Sequence, residues 1–461
     1  MSNKKIKNQD IAYAFLDQKD LRKDILFCSG WDTFFKYEDG YYKMYEPEEF
    51  REFVWRFVVG NYPDLGITTS IIKDIVSQIK WASYRKLPTI ITDHIAFKDK
   101  LYNTKKFKWE EFDRKKIALH QIEFQSDEIH MDTPVFENFI RTTLTDEEDK
   151  TDKDLVKLVQ EMFGYYLISG LEAQKTFFLV GDGANGKSVM TRVLESIIGR
   201  EYVSAMTIQT LTTNQFAASN LIGKRVNICN EEESKYLQSS TFKSLITGET
   251  MQVERKFEKQ FSFTPTTKYL FASNRMPNFE GLNHGLRRRI IIIPFNKIFE
   301  EHEQNKNLNE ELLNEMPGII NWAMDGAKRL KENNYKFTQT KATDETKMEF
   351  EESISSSVMF FRENFTPDDN GFLTNKEIYR EYKDWCYENG KKQTASNKFH
   401  KDVTKNIKVK KSSRWENNKT DRGYACSRRQ DEVPEDMQRL DDALNDDSTT
   451  RSIEQTTWTQ H

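Results

Sequence analysis

Cysteine is scarce in this chain: Cys28, Cys229, Cys386 and Cys426 are the four among 461 residues. No two of them form a C-x-x-C pair, which argues against a zinc ribbon or a disulfide framework and fits a reducing compartment. No run is long and apolar enough to cross a bilayer, so no membrane partner is expected. The N-terminal Met1-Ser2-Asn3-Lys4-Lys5 lacks the apolar core of a secretion signal, and a cytoplasmic protein is the expectation. Positive charge is lacking overall, with a net of −4. Its distribution says more than its sum. Residues 401–429 hold ten lysines and arginines against three acids, and residues 430–461 hold two against nine. A basic module is followed by an acidic tail.

What is present is a phosphate-binding pattern. Gly181-Asp182-Gly183-Ala184-Asn185-Gly186-Lys187-Ser188 fits G-x-x-x-x-G-K-[ST]. Lys175 to Val180 before it reads as a buried strand. Val189 to Ile198 after it reads as a helix that stops at Gly199. Glycines let the backbone curl its N–H groups toward phosphates, and the helix adds its positive end. Lys187 would neutralise the β/γ-phosphates, and the Ser188 hydroxyl would ligate Mg²⁺. ATP and Mg²⁺ are the expected cofactors.

Further chemistry follows in order. Strand candidates at 175–180, 224–230, 268–273 and 289–294 alternate with helices, which argues for a parallel α/β sheet. The second ends in Glu231-Glu232-Glu233, acids placed to hold metal and polarise water, and Glu231 is the expected metal residue. The third ends in Asn274, an amide that can face a γ-phosphate. Arg287-Arg288-Arg289 precedes the fourth, and such an arginine completes a neighbour's site in ring NTPases. Between them, Lys243 to Lys259 suggests an inserted hairpin carrying Arg255, Lys256 and Lys259 near Phe257, cations and an aromatic suited to DNA.

The order of these motifs resembles superfamily 3 DNA helicases of the phage and plasmid primase–helicase type. The resemblance rests on Gly181 to Ser188, Glu231-Glu232, Lys243 through Lys259, Asn274 in Phe-Ala-Ser-Asn-Arg-Met-Pro, and Arg288-Arg289 before Ile-Ile-Ile-Ile-Pro-Phe. It implies an AAA+-like NTPase core and a ring, a hexamer, moving 3′→5′ on single-stranded and forked DNA. It also implies Lys187, Glu231, Glu232 and Asn274 as catalytic groups in cis and Arg288 in trans. Which of the three glutamates activates water stays open, as does which arginine is the finger. An initiator or assembly switch that binds ATP without separating strands is the alternative. The Asp152-Lys153-Asp154 pair lies in a charged stretch, so no primer synthesis is expected, which leaves room for a separate primase or polymerase. A phage or plasmid origin would place the protein in the host cytoplasm.

The expected organisation is a pre-helicase region over 1–145, α/β or mostly helical. The P-loop NTPase domain follows over 146–335, then a winged-helix DNA-binding domain over 350–429 and an acidic disordered tail over 430–461. Thr33 to Tyr37 and Tyr41 to Tyr45 flank Asp39-Gly40, a hairpin signal, and their aromatics read chiefly as core. Residues 91–145 read as short strands and loops, and Asp146 to Lys153 as a linker. In the C-terminal domain Thr374 to Glu377 reads as a capping box. Strands at 407–410 and 423–426 would form a wing, with Lys408, Lys410, Lys411 and Arg414 as its DNA-facing charge.

Overall fold

The computed structural model describes residues 6–18, 21–85, 92–214, 216–232, 237–255, 260–277, 279–280, 284–354, 356–391, 393–416 and 419–429. Contacts divide the chain into two compact units, residues 1–350 and 351–461.

The first unit opens with a mixed sheet. Thr33–Glu38 and Tyr41–Tyr45 form the expected hairpin, paired Glu38 to Tyr41. Asp39 and Gly40 have φ of 44° and 88°, as a two-residue hairpin turn requires. Ile25–Cys28 pairs on one side of it and Tyr84–Arg85 continues the sheet. Helices Asn8–Leu16, Pro47–Asn61 and Thr69–Ala82 supply Phe15, Phe50, Val54, Ile75 and Ile79 to its core. Phe34 stacks on Phe50 with ring centroids 3.7 Å apart, and Phe34, Phe35 and Tyr42 are buried, so these hairpin aromatics are core. The module is α/β rather than mostly helical.

A second small sheet follows within 94–121, and then a helix over Pro134–Thr143 where loops were expected. Pro134 starts it, and Phe136, Phe139 and Ile140 form its buried stripe. The charged run after it is a capped turn. Asp146 Oδ1 accepts from the Glu148 and Lys150 amides, and Asp152 accepts from Asp154 and Leu155 at the start of the next helix. Phe139 and Leu144 before this turn share one core with Leu155 and Leu158 after it.

The central sheet contains β1 (Thr176–Val180), β2 (Val203–Ser204), β3 (Val226–Cys229), β4 (Lys268–Ser273) and β5 (Ile290–Pro294). Their order is β2-β3-β4-β1-β5, and every pairing is parallel. Four strands match the sequence expectation, and the two-residue edge strand β2 was not foreseen. A parallel sheet is covered on both faces, and all six residues of β4 are buried. Helix α1 (Lys153–Leu167), helix α2 (Lys187–Ile198) and helix α4 (Met316–Glu332) share its core, and the short helix α3 (Ile208–Thr213) follows β2.

Two glycines set how closely α1 and α4 cross. A Cβ on Gly164 would lie 2.1 Å from the Ala327 nitrogen, and one on Gly326 would lie 2.0 Å from the Gln160 carbonyl. The C-terminal carbonyls of α1 are met by buried cations. Lys268 donates to Tyr165 and Ile168 carbonyls, and Arg225 donates to Leu167 at 2.6 Å. Cations at a helix C-terminus offset its negative end. This is why a lysine opens an otherwise apolar strand.

Between helix Ser239–Thr247 and β4, Met251–Val253 pairs antiparallel with Phe261–Phe263, which gives the expected inserted hairpin. Its candidate DNA residues Lys256 and Lys259 lie outside the described residues, as do Phe257 and Glu233.

The second unit holds helices Ser356–Asn364, Asn375–Glu388 and Ser396–Asn406 around Phe360, Ile378, Tyr382, Phe399 and Val403. The Thr374–Glu377 capping box forms as expected. The hairpin strands are Lys411–Glu416 and Lys419–Tyr424, the first starting four residues after its expected start and the second four residues before. Ile407 and Val409 pack against the core instead of pairing in a ladder. The acidic tail 430–461 lies outside the described residues.

Candidate active site

In a parallel sheet the strands' carboxyl ends share one edge, and the loops there form the binding crevice. Gly181 to Ser188 follows β1, Glu231 follows β3 and Asn274 follows β4, so the sheet itself brings three distant motifs to one edge.

The loop after β1 depends on its glycines. A Cβ on Gly181 would lie 2.3 Å from both the Phe295 carbonyl oxygen and the Asn185 amide. Gly183, Ala184 and Gly186 have φ of 105°, 47° and 86°. Gly186 caps α2 without a side-chain hydrogen bond, so the first amides of that helix face the loop's hollow. Asn185 is 2% exposed and donates to the Phe295 carbonyl at 3.2 Å, which ties the loop to the end of β5. The Lys187 amine is buried and donates to the Gly181 carbonyl and to Asn185 Oδ1. Burial lowers its pKa, with Asp182 opposing. An anion in the cavity would offset the cost of burying this ammonium.

Gly183 to Ser188, Asn230, Glu231 and Asn274 line one cavity of about 840 Å³. Its opposite walls come from helix Pro134–Thr143, through Val135, Asn138, Phe139 and Thr142, and from Phe299 to Glu311. Ser188, Glu231 and Asn274 are exposed to it. The cavity therefore offers an amide-lined anion cradle, a cation, a hydroxyl, a carboxylate and an apolar wall. Among the described residues no cluster of three His, Cys, Asp or Glu could hold a metal by itself. Ser188 and Glu231 would need phosphate oxygens and water to complete a Mg²⁺ shell, which is how that ion is usually bound.

Other anticipated residues sit elsewhere. Glu232 is 1% exposed and does not line the cavity. Its carboxylate accepts from the Ile208 amide at 2.7 Å, at the start of α3, and its carbonyl accepts from Ser273 Oγ at 2.8 Å. Successive residues of an extended chain point to opposite sides, so only one of the pair can face the crevice. The arginine triplet lies at the other end of β5 from the loop, because Ile290 pairs with Thr176 and Pro294 with Val180. Arg288 is exposed there, whereas Arg289 is buried and donates to Gln174 Oε1 and the Gly285 carbonyl. Arg255, expected to touch DNA, is half-buried. Its guanidinium donates to the Trp31 and Asp32 carbonyls at 3.2 and 3.3 Å and lies over Phe261. In the second unit Lys408, Lys410, Lys411 and Arg414 are exposed, with Lys410 paired to Asp369.

Residues 179–289 match a family of unknown function, DUF5906, and residues 355–440 match the Poxvirus D5 protein-like family. The chain is 28% identical over 188 residues to a protein of Acanthamoeba polyphaga mimivirus named "Putative helicase L207/L206". It is 22% identical over 292 residues to one of Invertebrate iridescent virus 3 named "Putative helicase 121R". These stretches cover 36% and 55% of this chain. These similarities support a phage and viral superfamily 3 primase–helicase type. It spans 20% and 31% of the length of those two relatives. The apo C-terminal region of NrS-1 aligns over 90% of this chain and 98% of that one, at 14% identity and a TM-score of 0.46.

The cavity walls given by Asn138, Phe139 and Thr142 were not anticipated. Their signal was the helical spacing of Phe136, Phe139 and Ile140 after Pro134. Among the described residues no helix is long and apolar enough to cross a membrane.

Proposed function

We propose that the chain is an ATP-dependent DNA helicase that works as a ring, a hexamer, with Mg²⁺ as cofactor. The observation that carries this reading is the single cavity that gathers the Gly181–Ser188 loop, Glu231 and Asn274. Bound ATP with Mg²⁺ would supply the phosphoanhydride whose hydrolysis drives movement.

The amides of Gly183 to Lys187 would cradle phosphate oxygens, and Lys187 would exchange its present acceptors for phosphate. Ser188 would hold the metal directly and Glu231 through its water shell, Glu231 would take the proton of the attacking water, and Asn274 would orient that water. Glu232 acts by fixing the chain beside Glu231. Arg288 cannot reach its own subunit's cavity from the far end of β5, which supports its use on a neighbour's site. Such a site is complete only between subunits, and a head-to-tail interface that closes gives a ring.

The DNA-facing groups are Lys256 and Lys259 on the inserted hairpin and the basic C-terminal module. The helices and hairpin of that module support a winged-helix reading. Direction, 3′→5′, follows the family resemblance. The test is ATP hydrolysis by the full chain with Mg²⁺, with and without single-stranded DNA. Hydrolysis abolished by Lys187→Ala supports the reading, and hydrolysis that survives it refutes the site. Hydrolysis with no strand separation would indicate an assembly switch instead.

A further inference from the structure

The hairpin of the C-terminal unit exposes an indole. Trp415 lies one pair from its turn, opposite Thr420, and is 67% exposed. Pairing fixes which residues accompany it. Directly opposed residues of an antiparallel pair share a face, and faces alternate along each strand. Lys411, Ser413 and Trp415 therefore share a face with Thr420, Arg422 and Tyr424. None of those six is a carboxylate. Asp421 opposes Arg414 on the other face.

At the base of this face Tyr424 is buried, its hydroxyl 3.0 Å from His400 Nδ1 on helix Ser396–Asn406. The Trp415 face thus continues the side on which that helix packs. The helix exposes Lys398 and Lys401, and the hairpin exposes Lys411 and Arg422. On the hairpin face itself, Lys411 and Arg422 accompany the exposed indole.

We propose that Trp415 stacks on an unpaired base of single-stranded DNA whose phosphates are met by Lys411 and Arg422. This rests on the DNA-acting reading above. Every base has a π-face, so such stacking tolerates any sequence, while cations track the backbone. A base inside a duplex has both faces covered by its neighbours, and an unpaired base does not. A protein partner would favour an apolar surround rather than cations.

The test uses the full chain without nucleotide and oligodeoxythymidylate carrying one 2-aminopurine. Wild type is expected to bind and quench the probe. Trp415→Ala should weaken binding about fivefold to a hundredfold, the span seen when one stacked base is lost, and abolish the quench. Trp415→Phe should keep most of both. Hydrolysis of ATP without DNA should be the same in all three, as should the thermal midpoint. If Trp415→Ala binds and quenches like wild type, the stacking role is wrong and the helicase reading stands. If wild type binds no single strand at all, the DNA reading fails and takes this inference with it.

Discussion

Replacing Arg288 with alanine separates a site built within one subunit from a site shared by two. From Thr176 to Val180, β1 and β5 run side by side for roughly 13 Å at the usual strand rise, and Arg288 lies before that stretch while the loop lies after it. An arginine cannot cover that distance to its own cavity. If it completes a neighbour's site, its loss should slow hydrolysis by about 10³- to 10⁵-fold, the range found for such arginines. Lys187→Ala should also abolish hydrolysis, through the loop. Each defect belongs to a different half of one interface. Mixing equal amounts of the two variants should therefore restore activity. If assembly is random, about a quarter of the interfaces join an intact loop to an intact arginine. Steady-state phosphate release from mixed and unmixed pools measures this directly. Recovery to about a quarter of the wild-type rate is expected. A mixture no faster than its two parents would refute the shared site, and so would an Arg288→Ala chain of normal rate.

Glu231→Gln should slow hydrolysis by about 10²- to 10⁴-fold, as loss of a general base does, while a fluorescent nucleotide still binds. Glu232→Ala should instead cost about 1.5–3 kcal/mol of stability, the worth of a charged hydrogen bond, visible in urea unfolding. Gly164→Ala should cost about 1–3 kcal/mol, because its new methyl meets the backbone of α4. His120 is buried beside Arg225, with its Nε2 2.6 Å from the Ile198 carbonyl, and burial holds its pKa well below 6.5. Its unfolded form gains a proton first as pH falls, so stability should drop below about pH 6.5 by up to ~1.4 kcal/mol per unit. His120→Gln should flatten that slope in denaturation midpoints measured from pH 7 to 5.

The parts legible in the sequence are those fixed by local physics. β1, its glycine loop and α2 were readable because a buried parallel strand is apolar throughout and a curled loop needs glycine at Gly181, Gly183 and Gly186. Asp39-Gly40 and the Thr374 capping box were readable for the same reason. Tertiary packing decided the rest. Glu231 and Glu232 are identical side chains, and only the turn after β3 determines which faces the cavity. Arg288 and Arg289 are likewise separated by what packs under the start of β5. The charged run from Asp146 reads as a linker until Asp146 and Asp152 are seen bonding to the backbone around them. Arg255 reads as a DNA contact until its carbonyl partners on Trp31 and Asp32 appear, and these lie more than 200 residues away in sequence, at separations of 224 and 223.

In the proposed motor, hydrolysis in the cavity that Lys187 lines drives strand separation. The decisive assay mixes a forked duplex carrying one labelled strand with the 461-residue chain, Mg²⁺ and ATP. Displacement of the labelled strand is expected with ATP, none without it, and none from Lys187→Ala at equal DNA occupancy. Displacement by Lys187→Ala at the wild-type rate, or none by wild type that hydrolyses ATP on the same fork, would contradict that coupling.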